Sequence, residues 1–268
     1  MHPVERLRYV AQATGADPAV VAREAAYALG QVAETDLPGL VPSCRRLIER
    51  HVTSGPLWWL AARILADADP GPAARRAAEE LDEDPTDRVL ARLLPDDTTV
   101  LVVGWPDLAG AALRRRGDLE VLVVEGDGDG TVLARRLREA GSDVTLVPDA
   151  GVAAAAVVAG LVLIEAHAAG PAGILANRGS HAAAAVAARS GVPVWAVVGV
   201  GRVLPGAMWD ALLSRVDDQG VEPWERAVEL VPADLLDSVV DPTGPRVTTE
   251  ALTDPDCPTS PELLRPAG

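Results

Sequence analysis

The sequence predicts an α/β fold, a helical N-terminal domain followed by a parallel-sheet domain, and three observations carry that reading. Apolar residues recur at helical spacing through the first 95 residues. From residue 98 the pattern changes to short runs that are apolar throughout, separated by helical stretches. Aromatic residues make up only 3% of the chain and Phe is absent, so the core must be built from Ala, Val and Leu. Such side chains suit close-packed helices and buried parallel strands better than an aromatic-rich sandwich.

In chain order, helices are predicted over residues 3–13, 19–32, 40–51, 56–68, 72–81 and 87–94. The second is opened by Asp17-Pro18, a capping residue followed by proline at the first helical position. The acidic run 79–84 reads as a solvated helix face or linker. The domain boundary is expected near residue 95, giving a helical domain over 1–95 and an α/β domain over 96–268. Strands are predicted over 98–103, 119–124, 143–147, 161–164 and 193–198. Helices are predicted between them over 108–116, 131–140, 152–158 and 181–190. Crossovers in such a sheet are right-handed and ligands gather at the C-terminal strand ends. Two extended pieces near the C-terminus, 228–231 and 246–249, read as a closing edge.

Composition narrows the function classes. The 268 residues are 49% hydrophobic, enough for a substantial core. Lys plus Arg total 24 against 39 Asp plus Glu, a net charge of −15. That charge repels nucleic acid and anionic membrane at long range, so no direct nucleic-acid or membrane contact is expected. Two cysteines, Cys44 and Cys257, cannot supply a disulfide framework or a cysteine metal cluster. The first ten residues carry charges and lack a signal-peptide core, and the apolar stretch 150–166 is broken at Gly160. A soluble, cytoplasmic protein without cofactor or metal is the expectation.

Two segments carry candidate chemistry. Glu125-Gly-Asp-Gly-Asp-Gly130 follows the second strand, where glycines let a backbone approach a phosphate. Its interleaved aspartates would repel that phosphate, and a charged strand-to-helix turn is the better reading. The segment IEAHAAGPAGILANRG, residues 164–179, is read as a strand end, a Gly/Pro-rich loop and a helix start at Asn177-Arg178. Glu165 and His167 lie two residues apart and project to one side of the strand. Asn177 and Arg178 at a helix start would favour an anion. A histidine near a strand end is, equally, a common structural hydrogen-bonding residue.

An ordered set of segments resembles the family of initiation factor 2B regulatory subunits and methylthioribose-1-phosphate or ribose-1,5-bisphosphate isomerases. Val123-Val124-Glu125 is similar to the family strand ending V-T-E, and Val147-Pro148-Asp149-Ala150 to the strand running into Asp-Ala. Glu165-Ala166-His167 stands where that family has Gly-Ala-Asp, and Asn177-Arg178-Gly179-Ser180 where it has Asn-Lys-Ile-Gly. Val192-Pro193-Val194 matches the following strand, and Val240-Asp241-Pro242-Thr243 and Thr249-Glu250 its closing segments. The match spans residues 98–262, and the helical first part suits the family's helical N-terminal domain. The resemblance implies a Rossmann-like sheet of the kind found in sugar-phosphate isomerases and CoA transferases, with pairing through the C-terminal part.

The resemblance also implies what is missing. Family isomerases use a Cys after the first strand and the Asp of Gly-Ala-Asp for proton transfer. Here the first strand runs into Gly104-Trp105-Pro106, and His167 holds the Asp position. The family's phosphate-binding Arg is lost within the Gly-Asp repeat, and Arg178 replaces its Lys. Three readings follow: a non-catalytic regulatory subunit-like homodimer binding a sugar phosphate or nucleotide, a diverged isomerase with His167 as base, and a paralogue with a vestigial pocket. The candidate ligand-binding residues are Glu125, Asp149, Glu165, Asn177 and Arg178, with His167 the candidate catalytic group. Arg178 is the expected anion contact.

Overall fold

The computed structural model describes residues 18–265; the helix predicted over 3–13 and the cap at Asp17 lie outside them. The first part is helical: α1 (Pro18–Thr35), α2 (Leu40–Arg50), α3 (Gly55–Ala66), α4 (Pro70–Asp82) and α5 (Thr86–Leu93). Prolines stand in the first turn of α1, α3 and α4, where a missing N–H costs nothing. Helix α3 (GPLWWLAARILA) is apolar apart from Arg63, which pairs with Glu80, and sits at the centre of this part, with Trp58 and Trp59 fully buried.

The α/β part alternates β1 (Thr99–Val103), α6 (Asp107–Leu113), β2 (Glu120–Val124), α7 (Asp129–Glu139), β3 (Asp143–Val147), α8 (Val152–Val158) and β4 (Leu161–Glu165). After an inserted segment it continues with α9 (Ser180–Ser190) and β7 (Val194–Val197), then closes with β9 (Ser238–Asp241), β10 (Gly244–Arg246) and α11 (Thr248–Ala251). The seven-stranded sheet has the order β10-β9-β7-β4-β1-β2-β3, parallel except where β10 pairs antiparallel with β9. Alternating residues of each strand face opposite layers. Val100, Val102, Val121, Val123 and Leu163 pack under α5, α6 and α7; Leu101, Val103, Leu122, Val124 and Ile164 pack under α8, α9 and α11. Both faces are therefore dry, which is why these strands read as unbroken apolar runs.

Three parts of the structure depart from the sequence expectation. The segment expected as a Gly/Pro-rich loop before a helix at Asn177 is a hairpin, β5 (Ala168–Gly170) and β6 (Gly173–Asn177). The expected edge piece 228–231 is β8 (Val228–Pro232), which pairs with β6 in a separate three-stranded sheet β5-β6-β8. The second piece, 246–249, straddles the end of β10 and the start of α11, so the edge is closed by β9 and β10. Between β7 and β8 lies α10 (Gly206–Asp217), whose Met208, Trp209, Leu212 and Val216 join the core of the first helices together with Cys257 and Leu263. That burial places α10 against the helical part although it follows the sheet in sequence.

Candidate functional site

The strand ends of β1, β2 and β4 lie side by side, and their first residues beyond the sheet are built for close approach. Gly104 adopts φ 66° and its missing Cβ would stand 3.1 Å from Nδ2 of Asn177. A Cβ on Gly126, at φ 52°, would come within 2.6 Å of the Gly104 Cα. Gly126 is required because its backbone touches that of Gly104, and both glycines have positive φ. A side chain at 104 would meet the Asn177 amide.

Around this seam the candidate residues fall into two groups. Glu165, at the end of β4, is buried with Arg202 in an ion pair of 2.8 Å, both side chains 7% exposed. Its other carboxylate oxygen accepts the Ala109 N–H of α6 at 3.0 Å. Arg202 also donates to the Ala166 carbonyl. His167 Nε2 lies 2.7 Å from Asn177 Oδ1, while Asn177 Nδ2 donates to the Val103 carbonyl at 3.1 Å. The Val103 carbonyl can only accept, so it fixes the amide orientation and makes His167 Nε2 the donor. Burial holds the His167 imidazole below its ordinary range, with the Arg202 charge adding and the Asn177 hydrogen bond opposing. With Nε2 donating to Asn177, the lone pair of the neutral ring lies on Nδ1.

Glu165, His167, Asn177 and Arg202 share a cavity of about 20 Å³ with Trp105, Pro106 and Asp107. That space is on the scale of a single water. The second group lies over β2. Asp149 accepts the Gly126 N–H at 2.7 Å, Glu125 opens the Gly-Asp turn, and Arg178 is ion-paired to Asp127 and donates to the Trp224 carbonyl. Asn177 ends β6 rather than opening a helix, because β6 extends to pair with Val228; α9 begins only at Ser180, after Gly179. The start of α9 already has its anion, since the His181 N–H donates to Glu229 Oε1 at 2.7 Å.

Sequence reasoning missed Arg202 and Trp105. The first follows β7 in Gly199-Val200-Gly201-Arg202, a Gly-rich run at a C-terminal strand end, which was the available signal. Neither cysteine lines this site. Cys44 and Cys257 belong to the helical core, and burial pushes both thiols up to about 12. Among the described residues no cluster of His, Cys, Asp and Glu could hold a metal ion, and no helix is long and apolar enough to cross a membrane.

A mostly parallel sheet joined to a helical part, with its candidate residues at the strand ends, defines a mixed α/β protein of the doubly wound kind. The chain belongs to the initiation factor 2 subunit family, whose model matches residues 79–255. Solved structures share the fold at low identity. The translation initiation factor eIF-2B of Pyrococcus horikoshii OT3 is 14% identical, with a TM-score of 0.76 over 93% of this chain and 98% of that one. A chain of the tetrameric eIF2B-beta2-delta2 complex from C. thermophilum is 16% identical, with a TM-score of 0.72 over 94% and 92%. The 5-methylthioribose 1-phosphate isomerase of P. horikoshii OT3 is 17% identical, with a TM-score of 0.65 over 93% and 87%. No curated protein matches the chain.

Proposed function

We propose that this protein is a non-catalytic, initiation factor 2B-like regulator that binds a sugar phosphate or nucleotide and acts as a homodimer, with a helical domain over residues 1–95 and an α/β domain beyond. One observation carries the non-catalytic reading: the groups that would move protons at the strand ends are consumed by one another. Glu165 is neutralised by Arg202, His167 Nε2 donates to Asn177, and no Cys follows the first strand. Proton transfer between neighbouring carbons needs a base with a free lone pair and an acid within reach of the substrate. Here the carboxylate is taken up by Arg202 and the Ala109 N–H, the imidazole keeps only Nδ1 as an acceptor, and the cavity they share is the size of one water.

The homodimer is supported by the α8–α9 surface. These helices pack together and bury Ala155, Ala156, Ala183, Ala184 and Ala187, while Val157 and Val158 stand 53% and 69% exposed. The outward residues Ala153, Ala154, Ala182 and Ala185 carry no charge across that surface. Arg189 in the last turn of α9 is the charged residue at the edge of this face, and exposed apolar surface of this kind favours association.

The test is incubation of the full chain with methylthioribose 1-phosphate and ribose 1,5-bisphosphate in deuterated water. The expected result is no ketose product and no deuterium at C2. Turnover by the unmodified protein that His167→Ala abolishes would favour the diverged-isomerase reading, with His167 as base, and would sink the non-catalytic one.

A further inference from the structure

Of the six tryptophans, Trp58, Trp59 and Trp209 are buried and Trp105 and Trp195 half-buried, but Trp224 stands 71% exposed. It lies in the segment between α10 and β8, where Val221 is exposed as well. That segment is tethered. Arg226 is ion-paired to Asp217 at 2.6 Å and donates to the Val221 carbonyl, while Arg178 donates to the Trp224 carbonyl at 3.2 Å. An indole presented in solvent on a tethered loop suits an interface anchor, because little conformational freedom is left to lose on contact.

The loop stands at one end of the apolar face of α8 and α9. The Arg178 N–H donates to the Ala227 carbonyl at 2.9 Å and the His181 N–H to Glu229, which places Trp224 at the N-terminal end of α9. Val157 and Val158 close α8. Both helices cross from the C-terminal to the N-terminal edge of the parallel sheet, so their C-terminal ends lie together, away from Trp224. Exposed Ala182 and Ala185 run between the two ends. The charges are divided the same way. Glu222 and Glu225 flank Trp224 at one end and Arg189 is exposed at the other. Among the described residues none of these three has an ion-pair partner.

We infer that two copies pair across a two-fold axis with α9 antiparallel to its counterpart, seating Trp224 of each copy on the partner's Val157 and Val158. A two-fold axis sets one patch against itself, so what stands at one end meets what stands at the other. The same reversal brings Arg189 to the partner's Glu222 and Glu225, and alanines at the centre let the two helices approach closely. In a chain of net charge −15, a face that is uncharged between opposite end charges is one where a second copy is not repelled. The inference rests on the homodimer part of the reading above and adds its orientation and its anchoring contact.

Cross-linking of the full chain tests it. Trp224→Cys and Val158→Cys are mixed and treated with a short bismaleimide; Cys44 and Cys257 are buried and unreactive, and the wild-type chain is the control. The mixture is expected to give a cross-linked dimer holding one of each variant, and neither variant alone to give one. Trp224→Ala should raise the dimer dissociation constant at least ~10-fold, the order expected when an anchoring tryptophan is truncated. Sedimentation measures it, with circular dichroism confirming the fold. Arg189→Glu should weaken the dimer, and Glu222→Lys/Glu225→Lys in the same chain should recover part of the loss. Cross-linking within each variant alone but not between them leaves the homodimer standing and overturns its orientation. An unchanged dissociation constant in Trp224→Ala overturns the anchor. A wild-type chain that is monomeric at micromolar concentration overturns both this inference and the homodimer.

Discussion

Glu165 and Arg202 sit in almost complete burial, with carboxylate oxygens satisfied by the guanidinium and by the Ala109 N–H. Removing one partner strands the other charge in a dry environment, which costs far more than the pair itself contributes. Glu165→Ala is therefore expected to lower unfolding stability by about 3–5 kcal/mol, measured by urea denaturation at neutral pH. A loss below about 1 kcal/mol would mean the pair is screened by solvent. His167 beside it gives a second expectation, because burial depresses its pKa and the folded protein keeps the ring neutral. Below the ordinary histidine value of about 6.5 the unfolded chain then binds a proton the folded chain refuses. This group's contribution is thus flat above that value and turns against the fold as pH falls through it. In His167→Gln, stability measured between pH 7 and 5 should fall less steeply than in the wild type; an unchanged slope removes the buried neutral imidazole.

At the scale of elements, the hairpin β5–β6 decides how the site is built. It carries His167 at its entry and Asn177 at its end, so strand pairing sets their 2.7 Å contact. Gly173 begins β6 at φ 147°, and a Cβ there would stand 2.1 Å from the Val231 carbonyl oxygen. Gly173→Ala combines an unfavourable backbone conformation with a backbone clash, so β6 and β8 would have to separate. The expected loss is more than about 2 kcal/mol, read from urea denaturation, with Gly128→Ala in an open turn as the milder control. An equal and small effect at both positions would count against the β6–β8 pairing.

For the whole molecule, the apolar face of α8 and α9 and the proposed homodimer make one prediction. The sequence reading held that a helix with alanine on all sides should be buried within the fold or between subunits. In the fold, Ala183, Ala184 and Ala187 are covered and the opposite side of α9 is not. Val158→Asp, at a position 69% exposed, should leave the monomer fold intact and shift the protein from dimer to monomer at micromolar concentration. Sedimentation velocity checks it. A wild-type monomer, or a variant that still pairs, removes this face as the interface. A substituted monomer that retains the wild-type circular dichroism spectrum separates assembly from folding.

The sequence by itself determined the mixed α/β fold, the helical start and where the parallel strands lie along the chain, because strands buried on both faces and amphipathic helices write their environment into local periodicity. It also determined the family, through short segments in a fixed order, and the absence of the isomerases' Cys and Asp. Only the tertiary structure decided that residues 168–177 form a hairpin, since β5 and β6 are short, rich in Ala and Gly, and stabilised by a partner strand more than fifty residues later. It alone brought Arg202 to Glu165 and α10 to the helical core, and it assigned Arg178 to Asp127 and the start of α9 to Glu229. Pairings across 37 to 51 residues leave no periodic trace in the chain, because a charged side chain looks the same in sequence whether its partner is a ligand, water or a distant carboxylate.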